Sequence, residues 1–314
     1  MQGTIIKSTG SWYIVRTEKG EIWNCRIKGK FKLKDYKLTN PVAVGDEVKF
    51  EAEKEEGHGI IGDILPRKNF VLRRSTRQKH FMHLIACNLD QAMVVVTIKR
   101  PNIKPGFIDR FLLTTESYNI PTYIIFNKAD IYDEEDLELF EALTIIYKNA
   151  GYQTLLVSSQ SGQGLNELKA VLKDKTTLIS GHSGVGKSSL VNAIQPQFDL
   201  RTGDISDITD KGMHTTTFAE MFEIDFGGRI IDTPGIKELG FLNMEPMDVS
   251  HNFPEIFEKS SQCKYANCLH INEPKCAVKD AVENEEIHPL RYQSYLSIME
   301  EVTDQNHWER NKEI

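Results

Sequence analysis

Residues 181–189 read Gly181-His182-Ser183-Gly184-Val185-Gly186-Lys187-Ser188-Ser189. The pattern Gly-x4-Gly-Lys-Ser is that of a phosphate-binding loop. Its flanks suit it, since residues 177–180 read as a short buried strand and residues 187–194 as a helix. Glycines let successive backbone N–H groups turn towards a polyphosphate, Lys187 reaches the β and γ oxygens, and the Ser188 hydroxyl suits Mg²⁺. On either side of it, apolar strand-like runs recur at residues 92–98, 122–126, 154–157 and 229–231, with helix-like stretches at 107–118, 134–149 and 165–172. Strands buried on both faces and alternating with helices imply a central, mainly parallel α/β sheet.

The ends of these strands carry further chemistry. Asn127-Lys128-Ala129-Asp130 follows the run at 122–126, at the strand end where open α/β sheets bind ligands. The Asp130 carboxylate can accept from guanine N1–H and the 2-amino group, for which adenine has no counterpart. Asn127 would face the O6/N7 edge and the Lys128 stem would cover the ring. Taken alone, four such residues are more often a helix N-cap than a base reader; beside a phosphate loop in the same sheet they read as a guanine selector. Ser158-Ser159-Gln160, after the run at 154–157, either closes over the base or forms a plain strand-to-helix turn.

Asp232-Thr233-Pro234-Gly235 places a carboxylate for a Mg²⁺-bound water and a glycine N–H for a γ-phosphate. Residues 198–217, rich in Asp and poor in apolar side chains, read as a switch loop. One of Thr215, Thr216 and Thr217 would complete Mg²⁺ coordination with Ser188 and Asp232, and spacing does not decide which. Thus the motifs run base reader, cap, phosphate loop, switch threonines, Asp-x-x-Gly. GTPases ordinarily begin at the phosphate loop, so this order is circularly permuted. Both γ-phosphate-sensing segments then lie just ahead of the C-terminal region, where their rearrangement can move it directly.

The chain has 314 residues and a formal net charge of -7, and a uniformly cationic nucleic-acid binder is excluded. The charge is polarised, however: +7 over residues 1–80, -8 over 81–245 and -6 over 246–314. In the first segment, short β-like runs at 4–6, 12–16, 22–27, 47–53 and 59–65 suggest a small OB-type barrel. Arg26, Lys28, Lys30, Lys32, Lys34 and Lys37 surround Phe31 and Tyr36, with Trp12, Tyr13 and Trp23 nearby. Cationic grooves with aromatic faces suit single-stranded RNA, although lysine runs are often plain solvated loops and aromatics core. A basic stretch including Arg73 and Arg74 follows. The expected domains are an RNA-binding barrel at 1–68, a basic linker at 69–80, the GTPase domain at 81–245 and a mainly helical domain at 246–314.

Cys263-x4-Cys268-x-His270-x5-Cys276 supplies three thiols and an imidazole within fourteen residues, a closed tetrahedral set of the structural Zn²⁺ type. His251 or His288 could replace His270. Three of the five cysteines fall in this cluster, which argues for metal binding in a reducing compartment rather than a disulfide framework. No apolar run is long enough to span a bilayer and no leader pattern opens the chain, so a cytoplasmic, monomeric protein without membrane contact is expected.

The permuted motif order, Gly-x-His-Thr-Thr-Thr at 212–217, the N-terminal barrel and the Cys/His cluster together resemble the RsgA (YjeQ) family of small-ribosomal-subunit-dependent GTPases over essentially the whole chain. The resemblance implies ribosomal RNA as the target of the barrel, a role in late maturation of the small subunit, and GTP hydrolysis stimulated by that subunit. Ile236 stands where many GTPases place a water-orienting Gln. His214, beside the switch threonines, is the residue to which the resemblance points instead, and it is equally compatible with ordering the loop. Lys187 would supply charge stabilisation. Two other classes remain open to test: an RNA-binding module with GTP as a ligand switch and negligible hydrolysis, and an ATP-using phosphotransferase, which conflicts with Asn127 and Asp130.

Overall fold

The computed structural model describes residues 1–28, 38–53, 57–74, 82–198, 219–232 and 244–310. Five strands open the chain: β1 (Gln2–Ser8), β2 (Tyr13–Thr17), β3 (Ile22–Ile27), β4 (Glu47–Ala52) and β5 (His58–Ile64). β1, β2 and β3 pair antiparallel, β3 runs parallel to β5, β5 pairs antiparallel with β4, and β4 returns to β1. This closed order is the expected OB barrel. Alternation along each strand sends Ile5, Val15, Cys25, Val48, Phe50 and Ile61 inward, with Tyr13 beside them. Tyr13 is therefore a core residue rather than part of a nucleic-acid-facing surface.

A two-stranded sheet of β6 (Phe70–Arg74) and β7 (Met82–Cys87) follows. Thus the stretch read as a linker begins as a paired strand, Phe70 opposite Cys87. The barrel abuts this hairpin at Gly45, whose φ is +92°; a Cβ there would lie 2.1 Å from the Cys87 carbonyl oxygen. Only glycine fits both demands. Beside it, Asp46 is fully buried and accepts from Arg67 Nε at 2.6 Å and Nη2 at 2.8 Å, fixing the barrel to the chain that leaves it.

The nucleotide domain is built from β8 (Gln91–Val96), α1 (Pro105–Glu116), β9 (Thr122–Phe126), α2 (Glu134–Asn149), β10 (Gln153–Leu156), α3 (Leu165–Leu172), β11 (Thr176–Gly181), α4 (Lys187–Ile194), β12 (Glu220–Glu223) and β13 (Arg229–Asp232). The strand order is β10-β9-β8-β11-β13-β12, parallel except for β12. Alternation explains why both faces are apolar. Ala92, Val94 and Val96 join the cluster containing Ile108, Phe111 and Leu112 of α1 and Leu143 and Tyr147 of α2. Met93 and Val95 point the other way, to Leu168 and Leu172 of α3 and Leu190, Val191 and Ile194 of α4. Burying one such aliphatic side chain contributes about 1.5–3 kcal/mol. α2 starts where it does because Asp133 and Asp136 form a reciprocal capping box, with acidic residues throughout the first turn.

Strand β12 also pairs with β1, Lys7 opposite Glu220, and the Lys7 ammonium donates to Glu220 at 2.8 Å. Barrel and nucleotide sheet thereby share one continuous eleven-stranded ladder. The C-terminal region is helical, as expected: α5 (Pro246–His251), α6 (Pro254–Ser260), α7 (Ala277–Glu283) and α8 (Pro289–Arg310). Its core of Val249, Phe253, Ile256, Tyr295, Ile298 and Met299 takes in Leu113 from α1. Among the described residues, no helix is long and apolar enough to cross a membrane.

Candidate functional site

The phosphate loop joins β11 to α4, as its spacing requires. Gly186 is the residue before the helix, with φ +85°, and a Cβ on it would fall 2.6 Å from the Asn127 amide nitrogen. That contact identifies the organising bond of the site: Asn127 Nδ2 donates to the Val185 carbonyl at 2.9 Å. Asn127, fully buried at the end of β9, thus holds the phosphate loop two strands away, while its Oδ1 has no protein partner. An unpartnered buried amide oxygen is uncommon. Lys187 Nζ donates to the carbonyls of Gly181 and His182 at 2.7 and 3.1 Å, folding back over its own loop. Burial holds its pKa below the ordinary lysine value, with Asp232 opposing that shift. The His182 ring packs on Phe107 at the start of α1, with centroids 3.8 Å apart. Ser183 and Gly184 are exposed, and Ser188 and Ser189 are half-buried in the first turn of α4.

The base-reading loop is ordered from several sides. Lys128 adopts a left-handed backbone, φ 69° and ψ 35°, and its ammonium donates to the Arg100 carbonyl at 2.6 Å. Asp130 is exposed at the loop's edge, and the Ser158 hydroxyl donates to its Oδ1. Ser158 itself is fully buried, and its Oγ accepts from the N–H groups of Gln160 and Ser161 at 3.1 and 3.0 Å. Ser158 therefore aims the Asp130 carboxylate, while Ser159 lies half-buried beside it. Motif reading placed Ser158 near the base, but only the fold reveals this route. Asp232 ends β13, paired in register with Ile179 of β11, the strand that runs into the phosphate loop and through it to Ser188 in the first turn of α4. A hydroxyl and a carboxylate are the hard oxygen donors that Mg²⁺ takes. His214, Thr215, Thr216, Thr217 and Gly235 lie outside the described residues.

In the C-terminal region the cluster forms as its spacing predicts. The ligand atoms of Cys263, Cys268, His270 and Cys276 all lie within 4.8 Å of one another, and His270, Cys268 and Cys276 are buried. Individual separations are 3.5 Å for Cys263 Sγ to His270 Nδ1, 3.9 Å for Cys263 Sγ to Cys276 Sγ and 3.3 Å for His270 Nδ1 to Cys276 Sγ. A tetrahedron with bonds of about 2.3 Å has edges of about 3.8 Å, so the set fits a metal ion. His270, rather than His251 or His288, completes it. The opposite ring nitrogen, Nε2, meets Ser250 Oγ at 3.0 Å, which fixes the ring for ligation through Nδ1. Glu273 accepts from the N–H groups of Leu269, Ile271 and Asn272, and Tyr292 and Tyr295 donate to the carbonyls of His270 and Leu269. Burial pushes the Cys268 thiol up to about 12, and a bound cation would reverse that.

On the barrel, Arg26 is exposed and pairs with Glu53 at 2.6 Å, and Lys28 is exposed. Trp12 is 41% exposed, packed edge-on against His58, whereas Trp23 leans on core Phe50. Lys30, Lys32 and Lys34 lie outside the described residues, as do the side chains of Arg73 and Arg74 in β6.

Comparison with known proteins agrees with this geometry. A family model described as RsgA N-terminal domain matches residues 2–61, and one described as RsgA GTPase matches residues 64–242. The chain is 49% identical over 302 residues to the small ribosomal subunit biogenesis GTPase RsgA of Christiangramia forsetii, covering 96% of each chain. It is 51% identical over 301 residues to the protein of the same name from Phocaeicola vulgatus, covering 96% of this chain and 97% of that one. Among solved structures it resembles YjeQ from Thermotoga maritima, with a TM-score of 0.77, 36% identity and coverage of 96% and 98%. It also resembles YloQ, described as a circularly permuted GTPase, with a TM-score of 0.73, 34% identity and coverage of 97% and 95%. With a closed barrel feeding a permuted nucleotide sheet and both family models matching along it, the chain belongs to the RsgA GTPase family.

Proposed function

We propose that this chain hydrolyses GTP to GDP and phosphate as a cytoplasmic, monomeric factor in late maturation of the small ribosomal subunit, docking on ribosomal RNA through its barrel and helical domain. The observation that carries the reading is the Asn127 Nδ2 to Val185 carbonyl bond, which makes guanine reader and phosphate loop one unit. Asp130 would select guanine, with Ser158 and Ser159 beside it. Gly181 to Ser189 would wrap the phosphates, and Lys187 would swing from its own loop carbonyls to the β and γ oxygens. Ser188, Asp232 and one of the switch threonines would hold Mg²⁺, whose charge offsets that of the phosphates. His214 would position the attacking water and Gly235 would sense the γ-phosphate. Cys263, Cys268, His270 and Cys276 would hold one structural Zn²⁺, which ties the helical domain together. Arg26, Lys28, Lys30, Lys32, Lys34, Arg73 and Arg74 would meet RNA phosphates.

GTP binding would order the switches and favour docking, and hydrolysis would favour release. Phosphate release with and without purified small subunits is the decisive measurement. Marked stimulation by the subunit is expected; none at saturating subunit would leave a nucleotide-gated RNA-binding module instead. His214→Ala should slow the stimulated turnover while leaving GTP affinity largely intact.

A further inference from the structure

Tyr132 follows the base-reading motif by two positions, and the motif itself gives its side chain no role. Its hydroxyl closes a bridge between two loops. Tyr132 Oη donates to the Asn127 main-chain carbonyl at 2.6 Å and accepts from the Ile98 N–H at 2.8 Å. Burial pushes the phenol up to about 12, so it stays protonated and able to donate at any physiological pH. The ring packs against the large apolar cluster that contains Ile98, itself 4% exposed.

The Asn127 carbonyl is the oxygen of the peptide that leads into Lys128. Lys128 is one of few non-glycine residues here with a left-handed backbone, φ 69°, a conformation that side chains disfavour and that an external contact must hold. The peptide N–H of Asn127 is already fixed to the Val96 carbonyl at 2.8 Å. With Tyr132 on the carbonyl, the Asn127 backbone is held on both sides, and the turn at Lys128 cannot flip without losing a bond. That turn sets where Asp130 emerges.

We infer that Tyr132 is a positioning residue for guanine recognition, acting through the Asn127 carbonyl to hold the Lys128 turn and so the direction of the Asp130 carboxylate. Its hydroxyl would act through the backbone of Asn127 and Ile98. The inference rests on the guanine-reading role proposed above for Asp130.

The test is Tyr132→Phe in the full chain, which keeps the packed ring and removes only the bridging oxygen. Affinities for GDP, IDP and ADP are measured by titration, together with kcat and KM for subunit-stimulated GTP hydrolysis and the melting temperature without nucleotide. IDP lacks the 2-amino group that Asp130 would hold, and ADP lacks both donors. Loss of one hydrogen bond in the bridge should weaken GDP binding about 5- to 30-fold. IDP should be weakened less and ADP hardly at all, so the GDP-to-IDP ratio narrows. KM for GTP should rise in step while kcat at saturation changes little. Equal weakening of GDP, IDP and ADP, or GDP binding at the wild-type level, would overturn the inference while leaving the guanine-reading role intact. A melting temperature that collapses in parallel with all three affinities would make the hydroxyl a fold element and overturn it too. Wild-type protein that bound ADP as tightly as GDP would instead overturn the guanine-reading role, and this inference with it.

Discussion

Arg291 Nη1 donates to Asp109 Oδ1 at 2.6 Å, joining the last helix of the chain to the first helix of the nucleotide domain. The same guanidinium reaches Glu255 through Nε at 2.7 Å and Nη2 at 3.1 Å, and lies 4.6 Å from the centre of the Phe253 ring. Arg291 is 2% exposed and Asp109 is fully buried. Burial pushes the Asp109 carboxyl up, with Arg291 opposing it, so the pair depends on remaining intact. Removing one partner of a buried ion pair costs about 3–5 kcal/mol, because the other charge is left without compensation. Arg291→Ala should therefore lower stability by that amount in a denaturant titration. Asp109→Asn should cost less, since Glu255 still neutralises the guanidinium. Arg291→Lys should not restore wild-type stability, for an ammonium cannot span two carboxylates in a planar fork.

Asp130→Asn replaces an acceptor for guanine N1–H and its 2-amino group with a side chain that presents a donor. Charge-assisted hydrogen bonds contribute about 1.5–3 kcal/mol, so GDP affinity should fall by one to two orders of magnitude. Ser158→Ala removes the hydroxyl that donates to Asp130 and accepts from Gln160 and Ser161. Its effect on GDP should be smaller, about fivefold for the lost bond to Asp130 at about 1 kcal/mol, and somewhat more from the loop freedom gained when Gln160 and Ser161 lose their acceptor. Fluorescent GDP titration reads both. An Asp130→Asn chain with wild-type affinity would remove Asp130 from the base site.

Residues close in sequence were the legible ones. The phosphate loop, the Asn127 to Asp130 motif and the Cys/His cluster each need fixed spacing along one stretch, so their chemistry is written locally. Strand β3 and helix α2 likewise sit where alternation and capping put them. Strand β6 was hidden because its Arg73 and Arg74 open a basic run, and its pairing partner Cys87 is set by register across a separate strand. Strand β12 has only Met221 and Phe222 between two glutamates, so no apolar run marks it, and it is held by β13 and β1 on either side. The motif places Asn127 at the base edge, and the fold adds a bond from its amide nitrogen to the Val185 carbonyl, 58 positions away. Asp109 and Arg291 lie 182 positions apart, and each read singly is an ordinary surface charge. Tertiary pairing, not local composition, decided every one of these.

Metal removal should act on one domain. A single Zn²⁺ per chain is expected by elemental analysis, lost in Cys276→Ser. Structural zinc sites contribute folding energy outright, apparent values being about 10–16 kcal/mol in small peptides. Chelation should therefore loosen α5 to α8 in hydrogen exchange while GDP affinity stays within a few-fold of wild type. Ser250→Ala removes the partner of His270 Nε2 and should weaken metal retention about 10- to 100-fold, as outer-shell substitutions do. Unchanged exchange across these helices after verified metal loss would deny the cluster a structural role.

Lys187 makes nucleotide binding sensitive to alkaline pH. Burial holds its pKa below the ordinary lysine value, with Asp232 opposing, and phosphate oxygens beside the ammonium would raise it again. Between those two values the bound state carries a proton that the free state lacks. GDP affinity should therefore fall as pH rises, beginning below the usual lysine value of about 10.4, and binding should take up protons there. The unliganded fold gains stability over the interval between its lowered pKa and that of the unfolded chain, because the unfolded chain binds the extra proton. Guanine N1–H also ionises in alkali, so the comparison is with Lys187→Met, in which only the base contribution should remain. Calorimetry in buffers of different ionisation enthalpy counts the protons. Identical pH profiles for wild type and Lys187→Met would show that Lys187 is not the group responsible.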